Sequence, residues 1–95
     1  MGSIKCGGVQ FVVYSNDHPP RHVHGFFGET EAIVDLLSNG GVALADRKDA
    51  IRPGNAKRAE VRKILNAAAD GFDGLVALWK GIHGKAESHR DRRGN

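Results

Sequence analysis

The chain has 95 residues and a mass of 10.2 kDa, a size that allows one domain with one modest core. Hydrophobic residues make up 40% and charged residues 26%, proportions that exclude global disorder, collagen-like repeats and coiled-coil rods. Net charge is +3, but residues 1–56 hold five Lys/Arg against six Asp/Glu and residues 57–95 hold nine against five.

Residues 1–8 are glycine-rich and hold the single cysteine, Cys6, and they read as a flexible N-terminus. Cys6 cannot close an internal disulfide and fits a reducing compartment. Val9 to Tyr14, β-branched and aromatic, predicts a buried strand. Ser15 to Pro20 breaks it, because proline lacks an N–H and restricts the residue before it. Arg21 to Phe27 predicts a second strand and Thr30 to Leu37 a third. Ser38-Asn39-Gly40-Gly41 supplies residues that tolerate positive φ, so a tight hairpin turn and a short fourth strand from Val42 to Ala45 follow. Connections this short favour antiparallel pairing.

Asp46 to Asn55 is polar and irregular, with Pro53-Gly54 as a breaker and Asn55 as an N-cap. Beyond it Val61, Ile64, Leu65, Ala68, Phe72, Leu75, Leu78, Trp79 and Ile82 keep one helical phase across Gly71 and Gly74. That phase predicts one long helix of about 27 residues, with a kink or break near residue 71 as the alternative, because interior glycines weaken helices. Gly84 ends it after His83. Residues 85–95 form a charged tail, expected to be disordered. The whole is an α+β domain over residues 9–84, three or four antiparallel strands packed against the C-terminal helix.

Three of the five histidines fall in Asp17-His18-Pro19-Pro20-Arg21-His22-Val23-His24. On a strand, His22 and His24 share one face, and His18 on the proline-stiffened loop could fold over it. Three imidazoles beside Asp17 suit a divalent transition metal or a proton-transfer site. A structural role for the cluster, with His22 stacked on Trp79 or Phe72, stays open beside these. No P-loop, Gly-x-Ser-x-Gly or Cys-x-x-Cys is present.

The segment Asp17 to His24 resembles the signature of the domain of unknown function 4160 family of small, mostly bacterial proteins. In that pattern an extended segment precedes Asp-His-x-Pro-Pro-His-x-His. Here both prolines follow His18 directly, and Arg21 stands where the pattern has its second proline. Leu78-Trp79-Lys80-Gly81-Ile82-His83-Gly84 is similar to the close of one branch of the family. The resemblance implies functional weight at Asp17, His18, His22, His24, Trp79 and His83. It also implies a setting among mobile or toxin–antitoxin-like loci.

Two functions are therefore expected. One is a regulatory or protein-interaction module, its long apolar helix stripe completed by a second copy in a homodimer. The alternative is a hydrolase of RNA or another phosphate ester. Its metal ligands would be His18, His22 and His24, with Arg21, Lys57 and Arg58 holding phosphate or a partner. The basic excess lacks the dense stripe with interleaved aromatics of a dedicated nucleic-acid binder. No apolar run approaches the ~20 residues of a membrane span and no secretory leader pattern is present, so a cytoplasmic location and no membrane partner are expected.

Overall fold

A computed structural model describes residues 2–84; the predicted charged tail lies outside them. Six strands, β1 (Gly2–Cys6), β2 (Val9–Val13), β3 (His22–Phe27), β4 (Thr30–Leu36), β5 (Val42–Leu44) and β6 (Ile51–Arg52), precede α1 (Arg58–Asp70) and α2 (Phe72–Trp79). A π turn over Lys80–Gly84 closes the described chain. The sheet is an antiparallel meander in the order β1-β2-β3-β4-β5, and β6 shares the far side of β4 with β5. No helix among the described residues is long and apolar enough to cross a membrane.

The α+β architecture and antiparallel sheet are those expected, but the strand count is larger. The segment expected to be flexible is edge strand β1, paired from Gly2↔Val13 to Cys6↔Val9. Its turn uses Gly7 and Gly8 at φ 59° and 81°, a region that only glycine enters cheaply. Ile4 and Cys6 turn inward against the core while Ser3 and Lys5 are exposed. The two-residue β6 is too short to leave a periodic signal.

One sheet face carries the main core. Val9, Phe11 and Val13 of β2, Val23 of β3, and Ala32, Val34 and Leu36 of β4 meet Ile64, Ala67, Ala68, Leu75 and Trp79 from the helices. Gly25 lies among them, where a Cβ would come within 2.5 Å of Ile64 Cγ2 and 2.9 Å of the Phe11 ring. The apolar stripe that suggested a second copy is thus largely covered by the sheet. Leu37 is the one exposed large hydrophobic among the described residues.

The single long helix is replaced by two that meet at Gly71. Its backbone (φ −100°, ψ 19°) leaves helical geometry, and a Cβ there would lie 2.8 Å from Cys6 Sγ. The hydrogen-bond ladder nevertheless runs through, Gly71 N–H donating to Ala67 O (3.0 Å) and Leu75 N–H to Gly71 O (2.9 Å). That continuity is why the apolar phase survives the break. Asn55 does not cap α1: Lys57 is the N-cap residue and makes no side-chain cap bond. Ala56 N–H instead closes a turn on Pro53 O at 2.9 Å.

On the opposite face, Ile33 packs with Ala45 and Ala50. The connecting loop is pinned by Asp49, which accepts from Arg47 Nε at 2.7 Å and from Arg52 Nη2 at 3.0 Å. The Arg47 hydrogen bond, then that from Arg52, draws the Asp49 carboxyl down to about 2. Its folded value lies below the ~4 of a free aspartate, so the bridge stabilises above about pH 4 and fades as pH falls through that lower value. Asp49→Asn is expected to lower the neutral midpoint slightly, the pair being exposed, and to meet the parent as pH falls toward about 2, so that the acid limb of a pH series of thermal melts is flatter.

Candidate metal centre

Period-two alternation puts Val23 and Gly25 on the helix side of β3 and His22 and His24 on the other. The β3–β4 register sets His22 opposite Asp35 and His24 opposite Ile33, with Glu31 one step diagonal to His24 on the same face. The loop after β2 then folds Asp17 over that face. Tyr14 N–H donates to Asp17 Oδ2 at 3.0 Å, and Asp17 N–H donates back to Tyr14 O at 3.1 Å. This reciprocal turn is the device Asp commonly supplies in loops, and it aims the second carboxylate oxygen at the histidines.

Asp17 Oδ1 lies 3.3 Å from His24 Nε2 and 3.5 Å from His22 Nε2. His22 is buried, and His24 and Asp17 are half-buried. The far nitrogens have partners too: His22 Nδ1 is 2.9 Å from Pro20 O, and His24 Nδ1 is 3.2 Å from Glu31 Oε2. A carbonyl oxygen only accepts, so His22 Nδ1 carries a proton and donates it. In the neutral ring, Nε2 then presents a lone pair to an anionic oxygen. A proton or a metal ion between them converts that repulsion into attraction.

Burial pushes the Asp17 carboxyl up, yet its net value lies below the ordinary carboxylate range. The Tyr14 N–H bond, the charges of His24 and His22, and the His24 hydrogen bond outweigh the burial. Asp17 is thereby kept anionic, the form in which a carboxylate ligates metal.

One ligand atom each from Asp17, His22 and His24 gathers within 4.8 Å of the others. Tetrahedral coordination at zinc–nitrogen and zinc–oxygen distances of ~2.0–2.1 Å implies ligand–ligand edges of about 3.3–3.4 Å. The two edges from Asp17 Oδ1, 3.3 and 3.5 Å, lie close to that, and the three atoms together span no more than 4.8 Å, so the imidazoles need only a small inward shift to close on one ion. Imidazoles that ligate metal usually donate their remote N–H to a carbonyl or carboxylate, as Pro20 and Glu31 allow here. Glu31→Gln should therefore weaken zinc binding about 10–100-fold, the usual size of such outer-shell losses. Isothermal titration of the two proteins checks it.

Of the residues expected to converge, one stands apart. His18 is exposed and stands outside the cluster, because the loop turns at Pro19-Pro20 and delivers Asp17 instead. His18 does line a cleft of about 420 Å³ that opens beside Asp17 and His22 and reaches Asp35, Asp46 and Arg47. Arg21 is not positioned for phosphate. Its guanidinium donates to Leu36 O (2.8 Å) and Leu37 O (3.0 Å) and lies 5.7 Å from the centre of the Phe72 ring. Lys57 and Arg58 sit at the start of α1 and do not line the cleft.

Trp79 lies with its ring 5.4 Å from that of His22, and His83 stacks on Trp79 at 4.0 Å. His83 Nε2 is buried and has no hydrogen-bond partner among the described residues. Glu31, Asp35 and Arg47 escape the sequence reading. Counting back from the Gly28-Glu29 turn would pair His24 with Ile33 and put Glu31 on the histidine face. Arg47 has no such signal, since it lies in an irregular loop.

Fold and site together define a small α+β domain with an Asp–His–His cluster beside an open cleft. The family model described as Domain of unknown function (DUF4160) matches residues 8–80. The chain belongs to that family. The match spans Asp17, His22, His24 and Trp79 and ends before His83. No curated protein and no solved structure matches the chain.

Proposed function

We propose that this protein is a metal-dependent hydrolase of small phosphate esters, with one divalent transition ion held by Asp17 Oδ1, His22 Nε2 and His24 Nε2. The observation that carries the reading is the sharing of one carboxylate oxygen by two imidazole nitrogens whose other nitrogens already have acceptors. A single cation satisfies all three converging atoms at once. Three protein ligands leave a coordination position for water, whose acidity the ion raises toward neutrality.

The cleft supports the substrate class. Asp17, Asp35 and Asp46 line it beside Arg47, whose guanidinium is already paired with Asp49, so the lining is acidic and a dication relieves it. The basic residues Lys57 and Arg58 do not line it, and a polynucleotide therefore finds no basic track leading to the centre. A small ester fits better. An ion held by Asp17, His22 and His24 would supply an activated water for hydrolysis of the ester P–O bond, and His18 on the rim would donate the proton that the leaving oxygen takes up.

The test uses untagged protein stripped with chelator and never exposed to nickel resin. Cobalt(II) or copper(II) should quench Trp79, the only tryptophan of the chain, because its ring lies 5.4 Å from the ligand His22. Saturation is expected at one equivalent, with loaded protein cleaving aryl phosphates and His24→Ala inactive. Quenching that is the same in His24→Ala, or loaded protein without esterase activity, would overturn respectively the centre and the reaction.

A further inference from the structure

A second concave surface lies on another part of the molecule. Between β6 and α1 runs a groove of about 390 Å³ with Ile51, Ala56, Val61 and Leu65 on its walls and Arg58 and Arg62 at its margin. The four apolar residues are half-buried and both arginines are exposed. No carboxylate lines the groove, and neither arginine has an ion pair among the described residues. Glu60, the acid of the first turn, is committed to Thr30 Oγ1 at 2.6 Å.

This charge pattern works against the helix that bears it. Arg58 and Arg62 are four residues apart, where like charges repel by a few tenths of a kcal/mol. Lys57 and Arg58 also place positive charge at the positive end of the helix dipole, and no side chain caps that end. Glu60 in the first turn offsets part of this, but the Arg58–Arg62 repulsion has no internal counterpart, and local rules broken in this way are characteristic of functional surfaces.

From this we infer that the groove docks an acidic amphipathic segment of a partner protein: two or three turns of helix whose apolar side chains enter between Val61 and Leu65, and whose Asp or Glu residues pair with Arg58 and Arg62. Charge complementarity selects this occupant, since only an anionic partner relieves both repulsions. Single-stranded RNA is the other anionic candidate, but no aromatic side chain lines the groove to stack a base. The helix-in-groove mode needs what is present, an apolar trough with charged margins. This inference is independent of the metal centre.

The experiment titrates isotope-labelled full-length protein with a synthetic helical peptide carrying leucines at i, i+4 and i+7 flanked by glutamates. A peptide with lysines for the glutamates and an oligouridine serve as comparisons. The acidic peptide should shift amides confined to residues 51–65 and bind at least tenfold more tightly than its lysine counterpart. Combined Arg58→Glu and Arg62→Glu should remove that preference. The same variant should melt no lower than the parent, because Arg58→Glu complements the helix dipole, so lost binding cannot be blamed on unfolding. Equal binding of the two peptides, shifts outside the groove, no shifts at all, or tighter binding of oligouridine at the same amides would each overturn the inference.

Discussion

Asp17→Asn is expected to lower zinc affinity by more than ~100-fold, exceeding the usual outer-shell loss because a direct ligand is removed. The metal-free protein should remain folded, with at most a modest fall in melting temperature near neutral pH, because the attraction that holds the Asp17 carboxyl below its ordinary range is lost. The introduced amide can still accept the Tyr14 N–H through its oxygen, and its NH₂ group can donate to the imidazole nitrogens that now meet Oδ1 at 3.3 and 3.5 Å. These neutral hydrogen bonds offset part of that loss. A purely structural ion cluster would lose far more, since breaking a buried pair costs about 3–5 kcal/mol. Thermal melts with and without zinc separate the two. Zinc at a hundred times its dissociation constant stabilises by about 2.7 kcal/mol, so the parent midpoint should climb and that of Asp17→Asn should stay. A variant that melts well below the parent in chelator, with its zinc titration intact, would refute the centre.

Gly25→Ala is expected to cost about 1–3 kcal/mol, the range for forcing extra volume into a close-packed core. The new methyl would sit 2.5 Å from Ile64 Cγ2 and 2.9 Å from the Phe11 ring. Both neighbours are fully buried and have no free space to retreat into. Because Gly25 follows His24 directly, any shift of β3 also tilts the proposed ligands, so zinc affinity should fall with stability. The control is Ile64→Ala, which by itself leaves a cavity and destabilises by about 2–5 kcal/mol. Combined with Gly25→Ala it should cost less than the sum, because the added methyl occupies the vacated space. Strict additivity in urea melts would show that the strain is relieved elsewhere.

Much of the fold is legible along the chain because its connections are short. Alternating β-branched residues from Val9 to Leu36, the breaks at His18–Pro20 and Gly28, and the Asn39-Gly40 hairpin together predict an antiparallel meander. The Gly40 φ of 91° and the 2.9 Å bond from Gly41 N–H to Asn39 Oδ1 realise the hairpin as its residues suggest. β1 is less legible. Glycines normally weaken strands, and what makes Gly2–Cys6 a strand is Ile4 and Cys6 packing on helices far along the chain. Heptad phase conceals the break at Gly71 for a related reason: the hydrogen-bond ladder continues through it, and only the proximity of Cys6 Sγ requires a residue without a side chain there.

For the site, the chain by itself determines that His22 and His24 share a face, because strand geometry fixes alternation whatever surrounds it. It also determines that a short proline-braced loop holds Asp17 and His18 near them. Which of those two turns inward is set by the local Tyr14–Asp17 turn together with the burial of the histidine face, and only the second of these comes from tertiary structure. Arg47 acquires its place only when the 45–50 loop is laid beside β4, where Ala45 and Ala50 bond to Ile33. Periodicity is a local property written into consecutive residues, whereas convergence of side chains depends on strand register and loop path, which many distant contacts set together.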